Sequence, residues 1–299
     1  MSGPTGNWHT GRERHLRVCR EDAWGHCPAE PEWHALPLVT PGFGLKAENP
    51  RFRPATLYGG WRRSVQLPRG QVVAGRLGTM LWPELADLLL GMALERADGT
   101  PHSFTMDFRT PSDPRRYLGA MVERLELRGR AGERDVSVHL DLTGKAEETN
   151  PSLSSDAFDY SGLSPMPFTF EAAEVLLDVG RLTGVESFAL SVRNNLSAGP
   201  QGPGGITYLR AGHRDVSLEL TKLDDSDAVN AAIRSGGTLS FEMTLSHPEG
   251  HSLSLALPVV HAQAAPEKAD PGDLAHATLR MEAGTDGADD ITWNVSLSE

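Results

Sequence analysis

From residue 100 onward, apolar side chains fall on every second position in one segment after another, a period that points to strands with one buried face. SFTMDF puts Phe104, Met106 and Phe108 on one face, and RDVSVHLDL sets Val136, Val138, Leu140 and Leu142 against Ser137, His139 and Asp141. The pattern returns in FALSV (Phe188, Leu190, Val192), DVSLEL (Val216, Leu218, Leu220), TLSFEMTL (Leu239, Phe241, Met243, Leu245) and SLSLAL (Leu253, Leu255, Leu257). It closes with ATLRM and ITWNVSL, where Ile291, Trp293, Val295 and Leu297 share a face. Such alternation predicts half-buried antiparallel strands. The 31 Gly and 21 Pro among 299 residues supply the turns between them.

Two segments break the period and read as helices. In WPELADLLLGMALE, Pro83 suits the first helical position, and Leu85, Leu88, Leu89 and Met92 make one stripe. In DDSDAVNAAIRSGG, Ser226 or Asp227 can cap, Val229, Ala232 and Ile233 form a short stripe, and Gly236 can end it. Each helix follows a strand, VVAGRLGT or DVSLELTKL, and precedes others, so the chain has two halves of similar plan. Polar, aperiodic sequence lies between them. The expected organisation is a β domain over 1–148, a linker over 149–166 and a second β domain over 167–299. The fold class is mainly β, a sandwich or barrel with one short helix per half.

Two decapeptides test that duplication. AGERDVSVHL (131–140) and AGHRDVSLEL (211–220) agree at seven of ten positions, yet they lie 80 residues apart while the helices lie 144 apart. Local context explains them better, as the return strands of two hairpins that begin at VERLEL (122–127) and VESFAL (185–190). The first hairpin turns quickly. The second carries the long segment SVRNNLSAGPQGPGGITYLRAGH, whose length without obvious period suggests either a surface insertion or a loop that orders against another subunit. The second reading is the one adopted.

Composition and motifs mostly exclude. The net charge of −12 is uneven: 19 basic against 15 acidic residues up to Arg134, then 9 against 25. That sign disfavours a nucleic-acid grip and fits either solubility or a surface that faces a polyanion without holding it. The first 35 residues lack an apolar run of signal-peptide length, so a cytosolic product is expected. LADLLLGMAL (85–94) is too short to span a membrane and carries Asp87. Cys19 and Cys27, near His15, His26 and His34, match no standard metal spacing and are expected to be free thiols. No catalytic motif is found: there is no G-x-S-x-G or H-E-x-x-H, and TGKAEE at 143–148 lacks the rest of a phosphate loop. His213, His247, His251 and His261 fall at loops or strand ends, where solvated histidine is expected. No enzyme, cofactor or metal site is expected.

The order of segments resembles the tail tube proteins of long-tailed bacteriophages. The resemblance is carried by REDAWG (20–25), VVAGRLGTMLWPELADLLLGMAL (72–94), YLGAMVERLELRG (117–129), GVESFALSVRNNL (184–196), DVSLELTKLDD (215–225) and SLSLALPVV (252–260). It covers nearly the whole chain, and its specificity lies in order and spacing. It implies a structural virion protein whose strands pair between subunits into a β-barrel ring, with helices outside and rings stacked into a conduit for DNA ejection. The implied partners are the chain itself, tape-measure, tail terminator and distal tail proteins, with DNA passing unbound and assembly in the host cytoplasm. It also assigns the long loop to contact between rings, through Asn194, Asn195, Leu196, Gly199, Pro200, Gly202, Pro203, Tyr208 and Arg210. If each half is one tube unit, three chains make a pseudo-hexameric ring; if only one half is, six chains are needed. The alternative from the residues alone is a β-sandwich binding module for carbohydrate or protein. Its customary row of exposed aromatics is not evident, since Trp8, Trp24, Trp33, Trp61, Trp82 and Trp293 are scattered.

Overall fold

The computed structural model describes residues 14–39, 42–48, 51–52, 67–68, 71–97, 99–110, 113–133, 135–149, 151–153, 158–171, 173–178, 180–202, 205–223, 236–264, 276–284 and 289–298. The second expected helix and Pro203 lie outside these residues, apart from the helix's proposed end at Gly236.

The first half contributes β1 (His15–Arg20), β2 (His34–Leu36), β3 (Lys46–Glu48), the short pair β4 (Arg51–Phe52) and β5 (Leu67–Pro68), and β6 (Val72–Met80). Helix α1 (Pro83–Leu94) follows, then the short pair β7 (Arg96–Ala97) and β8 (Thr100–Pro101), β9 (Phe104–Arg109), β10 (Arg115–Arg130), β11 (Ser137–Gly144) and β12 (Ala146–Thr149). The second half contributes β13 (Ala173–Leu177), β14 (Gly180–Arg181), β15 (Val185–Arg193) and four two-residue strands, β16 (Ser197–Ala198), β17 (Gln201–Gly202), β18 (Gly205–Ile206) and β19 (Leu209–Arg210). It ends with β20 (Asp215–Leu223), β21 (Thr238–Ser246), β22 (Ser252–Ala264), β23 (His276–Ala283) and β24 (Thr292–Ser296).

Sixteen of these strands form one antiparallel sheet, and its pairing order reads the same way twice. In the first half the neighbours run β2-β1-β9-β10-β11-β6-β3, with β12 also on β10. In the second they run β14-β13-β21-β22-β23-β20-β15, with β24 also on β22. The two series join where β15 lies along β10, from Arg124 opposite Arg193 to Arg130 opposite Ser187. The decapeptides do sit on return strands, β11 against β10 and β20 against β15. They occupy different places in the pairing order, which is why their spacing disagreed with that of the helices.

β10 carries the first half because it changes partners midway. Its start pairs with β9 and β12, and its end pairs with β11 and β15. The switch needs a break in regular pleating, and the registers shift between Tyr117 and Ala120 and between Val122 and Arg124. Gly119 sits in the first irregularity at φ +65, and a Cβ there would lie 2.7 Å from Trp24 Nε1. Glycine alone meets both demands without strain. The REDAWG segment locks this bend: Trp24 Nε1 donates to Gly119 O at 3.0 Å, and buried Glu21 accepts from the Gly119 and Gly25 amides and from Thr105 Oγ1.

Two expectations need correction. β9 is buried on both faces, not one, because Asp107 turns inward to accept from Arg17 and Arg116 at 2.7–3.0 Å, with Trp33 stacked 4.0 Å over Arg17. Helix α1 buries far more than a stripe, adding Ala86, Leu90, Ala93 and Leu94 while Leu88 stays half-buried. The reason is that α1 is enclosed, contacting β10 and β8 of the first half and β22 and β24 of the second. A helix apolar nearly all round belongs in such a position. One continuous core accordingly runs through both halves. No helix among the described residues is long and apolar enough to cross a membrane.

Candidate assembly site

The long loop is rooted at the C-terminal end of α1, where the last carbonyls of a helix lack partners of their own. Asn194 is fully buried, and its Nδ2 donates to Ala93 O at 2.9 Å and to Val122 O at 3.0 Å. Its Oδ1 accepts from Arg96 at 2.8 Å. At the other end of the loop, Arg214 donates to Leu94 O at 2.8 Å and pairs with Asp290 through Nε at 2.8 Å. The two ends of the loop thus take consecutive helix carbonyls. Asn195 adopts φ 49, a left-handed turn asparagine tolerates, and its Nδ2 bonds His213 O and Asp215. The Leu196 amide donates to Glu123 at 2.7 Å.

Beyond the root the segment is itself a hairpin. β16 pairs with β19, and β17 with β18. Gly199 is packed against the Tyr208 ring, which a Cβ would meet at 2.6 Å, and its amide donates to Tyr208 O at 2.8 Å. Pro200 O accepts from both the amide and the hydroxyl of Thr207. Arg210 stacks 5.0 Å over Tyr208, whose ring is exposed. Ile206 and Leu209 turn the other way and bury with Met121, bordered by Trp24, Val72 and Leu196, in a cluster separate from the main core.

Of the residues expected in the assembly loop, Asn194, Asn195 and Leu196 therefore form its root. Gly199, Pro200, Tyr208 and Arg210 form its stem, and Gly202 lies on β17. Sequence reasoning missed Arg96, Glu123 and Arg214, which no local pattern marks. It also missed Ile206 and Leu209, which lie three residues apart and so show no period-2 pattern.

Open strand edges are the second feature. Among the described residues β3 pairs only with β6, and β14 only with β13. On β22, Ala262 to Ala264 pair with β23, but among the described residues the opposite edge ends its pairing with β21 at His261. On β10 the corresponding edge is where β15 lies. Exposed edges invite further strands.

The cluster around His247 and His251 is held by internal hydrogen bonds, although Glu84 Oε2 beside it is buried without a hydrogen-bond partner. His247 and His251 are not solvated as expected: His247 Nε2 donates to Met166 O at 3.1 Å, and His251 Nδ1 accepts from the Ser298 amide at 2.9 Å. With Glu249 they could gather around a cation, their ligand atoms lying within 4.8 Å of one another. However, His247 Nδ1 already accepts from the Glu249 amide at 3.2 Å, and His251 Nε2 faces Glu84 and Ser164. The donor pattern is that of a hydrogen-bonded junction between α1, the linker and the β21–β22 turn. Cys19 and Cys27 are free thiols with sulfurs 3.7 Å apart, and burial pushes the Cys19 thiol well up.

The described residues thus form a mainly β chain with a twice-used pairing order, unpaired strand edges and a rooted hairpin. The chain belongs to the phage tail tube protein family, which it matches over residues 11–298. It is accordingly a structural component of a phage tail. Among the curated proteins none matches the chain.

Proposed function

We propose that three copies of this chain close one ring of the tail tube, each supplying two tandem tube units, 1–148 and 167–299, joined by the linker 149–166. One observation carries the reading: inside the chain, β15 of the second pairing series lies on β10 of the first. β3 is the counterpart of β15, and the end of β22 is the counterpart of the end of β10. Adding β3 of a neighbouring copy to the Ala262–Ala264 edge of β22 repeats the internal joint between chains. Three such joints alternate with three internal ones and leave neither β3 nor the end of β22 open, which favours closure of a curved sheet.

Rings then stack through the hairpin from Asn194 to Arg210, whose exposed face includes Tyr208 and whose root is fixed on α1. The stacked rings form the conduit for DNA ejection. The tube's ends and interior meet the tail terminator, distal tail and tape-measure proteins, and the chain has a structural rather than a catalytic role. Electron microscopy of purified, polymerised protein tests this, with native mass spectrometry of released rings. Rings of three chains are expected; rings of six chains would assign one tube unit to each chain, and a subunit that stays monomeric at high concentration would remove the reading.

A further inference from the structure

The segment HPEGH, residues 247–251, folds back on itself at the β21–β22 turn. The Gly250 amide donates to His247 O at 2.9 Å, and the His247 amide donates to His251 O at 2.9 Å. Gly250 sits at φ +91, a conformation glycine adopts without strain, and the tight turn stacks the two imidazoles with ring centres 5.3 Å apart. His247 Nδ1 lies 3.9 Å from Glu249 Oε2, while His251 Nε2 lies 3.8 Å from the same oxygen and 3.9 Å from Glu84 Oε1. Glu84 comes from the other half, on the first turn of α1.

Hydrogen bonding accounts for only part of this cluster. Glu84 Oε1 accepts from the amide and the hydroxyl of Ser164 at 3.1 and 2.5 Å, whereas Glu84 Oε2 is buried with no hydrogen-bond partner among the described residues. A negative charge in the first turn of a helix is favourable, but that gives a buried oxygen no donor. The His247 side chain is fully buried, and its Nε2–H donates to Met166 O at 3.1 Å. That bond fixes the tautomer and leaves the Nδ1 lone pair on the side of Glu249, the arrangement in which a histidine ligates a metal. The donor it meets there is the Glu249 amide, at 3.2 Å.

We propose that Glu84, His247, Glu249 and His251 bind one divalent transition-metal ion of the zinc class, which fastens the first turn of α1 to the second half of the chain. Two imidazoles and two carboxylates make a mixed nitrogen and oxygen set that suits zinc, whereas magnesium and calcium take oxygen ligands. A tetrahedral ion with bonds of about 2.0–2.1 Å holds its ligands about 3.3–3.4 Å apart. The separations of 3.8–3.9 Å therefore need only a small inward movement. Glu249, with its side chain 46% exposed, gives the ion a way in from solvent, and the other three ligands are largely buried. The ion also supplies a partner for Glu84 Oε2. One hydrogen bond is given up in exchange: His251 Nδ1 accepts from the Ser298 amide at 2.9 Å, and ligation through Nε2 moves the ring proton to Nδ1. Ser298 is exposed and lies beyond β24, so it can turn away without unpairing the sheet.

The test uses the full chain, stripped with a chelator and titrated with zinc chloride in a calorimeter. One ion per chain is expected. The thermal midpoint should rise by about 5 °C once free zinc exceeds the dissociation constant about a hundredfold, with no such rise in magnesium. Glu249→Gln and His251→Gln should each weaken zinc binding at least about tenfold. Without metal, Glu249→Gln changes only a half-exposed side chain and should melt with the wild type. Cobalt in place of zinc reads the ligands: visible d–d absorption without thiolate charge transfer is expected from imidazole and carboxylate. A strong thiolate band would place the ion at Cys19 and Cys27 and overturn the proposal. A chain that binds no zinc, or unchanged affinity in either variant, would overturn it equally.

Discussion

Asn194 holds Ala93 by a buried hydrogen bond of 2.9 Å, tying the first residue after β15 to the last turn of α1. The same side chain serves Val122 O and Arg96, so one residue joins helix, sheet and loop. Asn194→Ala removes all three bonds and leaves two buried carbonyls short of a donor. The expected loss is about 2–4 kcal/mol, seen as a lower thermal midpoint in calorimetry. Asn194→Asp should cost a similar amount, since a carboxylate cannot donate to either carbonyl.

The bend at Gly119 gives the second expectation. Gly119→Ala meets a positive φ and an approach of 2.7 Å to Trp24 together. A cost of about 1–3 kcal/mol is expected, with a change in tryptophan emission as Trp24 leaves its acceptor. Ala at Gly132, where φ is also positive but nothing lies within 4 Å of the new Cβ, should cost less. Urea unfolding of both variants distinguishes strain alone from strain plus displacement.

Much of this was legible in sequence because period-2 alternation depends only on which face is dry. Val138, Leu140 and Leu142, or Leu253, Leu255 and Leu257, announce their face wherever their strand pairs. The extent of burial was less legible, since it depends on what arrives from elsewhere: Asp107 is buried by Arg17 and Arg116, and α1 is enclosed by strands of both halves. The loop root was partly visible in Asn194 and Asn195, but its partners Ala93, Leu94 and Arg214 are distant in sequence. The pairing order was hidden because AGERDVSVHL and AGHRDVSLEL advertise likeness between strands that are not counterparts.

Acid should weaken the fold, through histidines kept neutral. Burial first, and then Arg76, lowers the pKa of His139; burial also lowers His15, aided by Arg109, and His102, aided by Arg20. A histidine with a lowered folded-state pKa takes up its proton more readily when unfolded. Stability from these groups is therefore present above the ordinary imidazole value of about 6.5 and is lost as pH falls below it. Thermal midpoints measured from about pH 7.5 down to about pH 5.5 should decline. The decline should be smaller in His139→Gln.

The hairpin can be separated from the fold beneath it. Deleting Ala198 to Gly205 removes the outer part of the loop and leaves Asn194, Arg214 and the α1 carbonyls in place. Subunits of this deletion should melt close to the wild-type temperature and form no stacked tube. Sedimentation and electron microscopy read both properties, and unchanged polymerisation would free the loop from any stacking role.

Edge addition at β3 predicts a more specific failure. In an antiparallel pair, successive residues send their amides alternately toward the partner and away from it. Of the neighbours Lys46 and Ala47, one therefore points its N–H into the ladder with β6, and the other points it at the open edge. Proline deletes whichever N–H it replaces. Lys46→Pro and Ala47→Pro should differ accordingly: one loses stability, while the other folds normally and cannot accept the end of β22 from a neighbour. For that second variant, analytical ultracentrifugation should find monomers where the wild type gives rings. Normal rings from both variants would mean that β3 is not the edge on which the chains join.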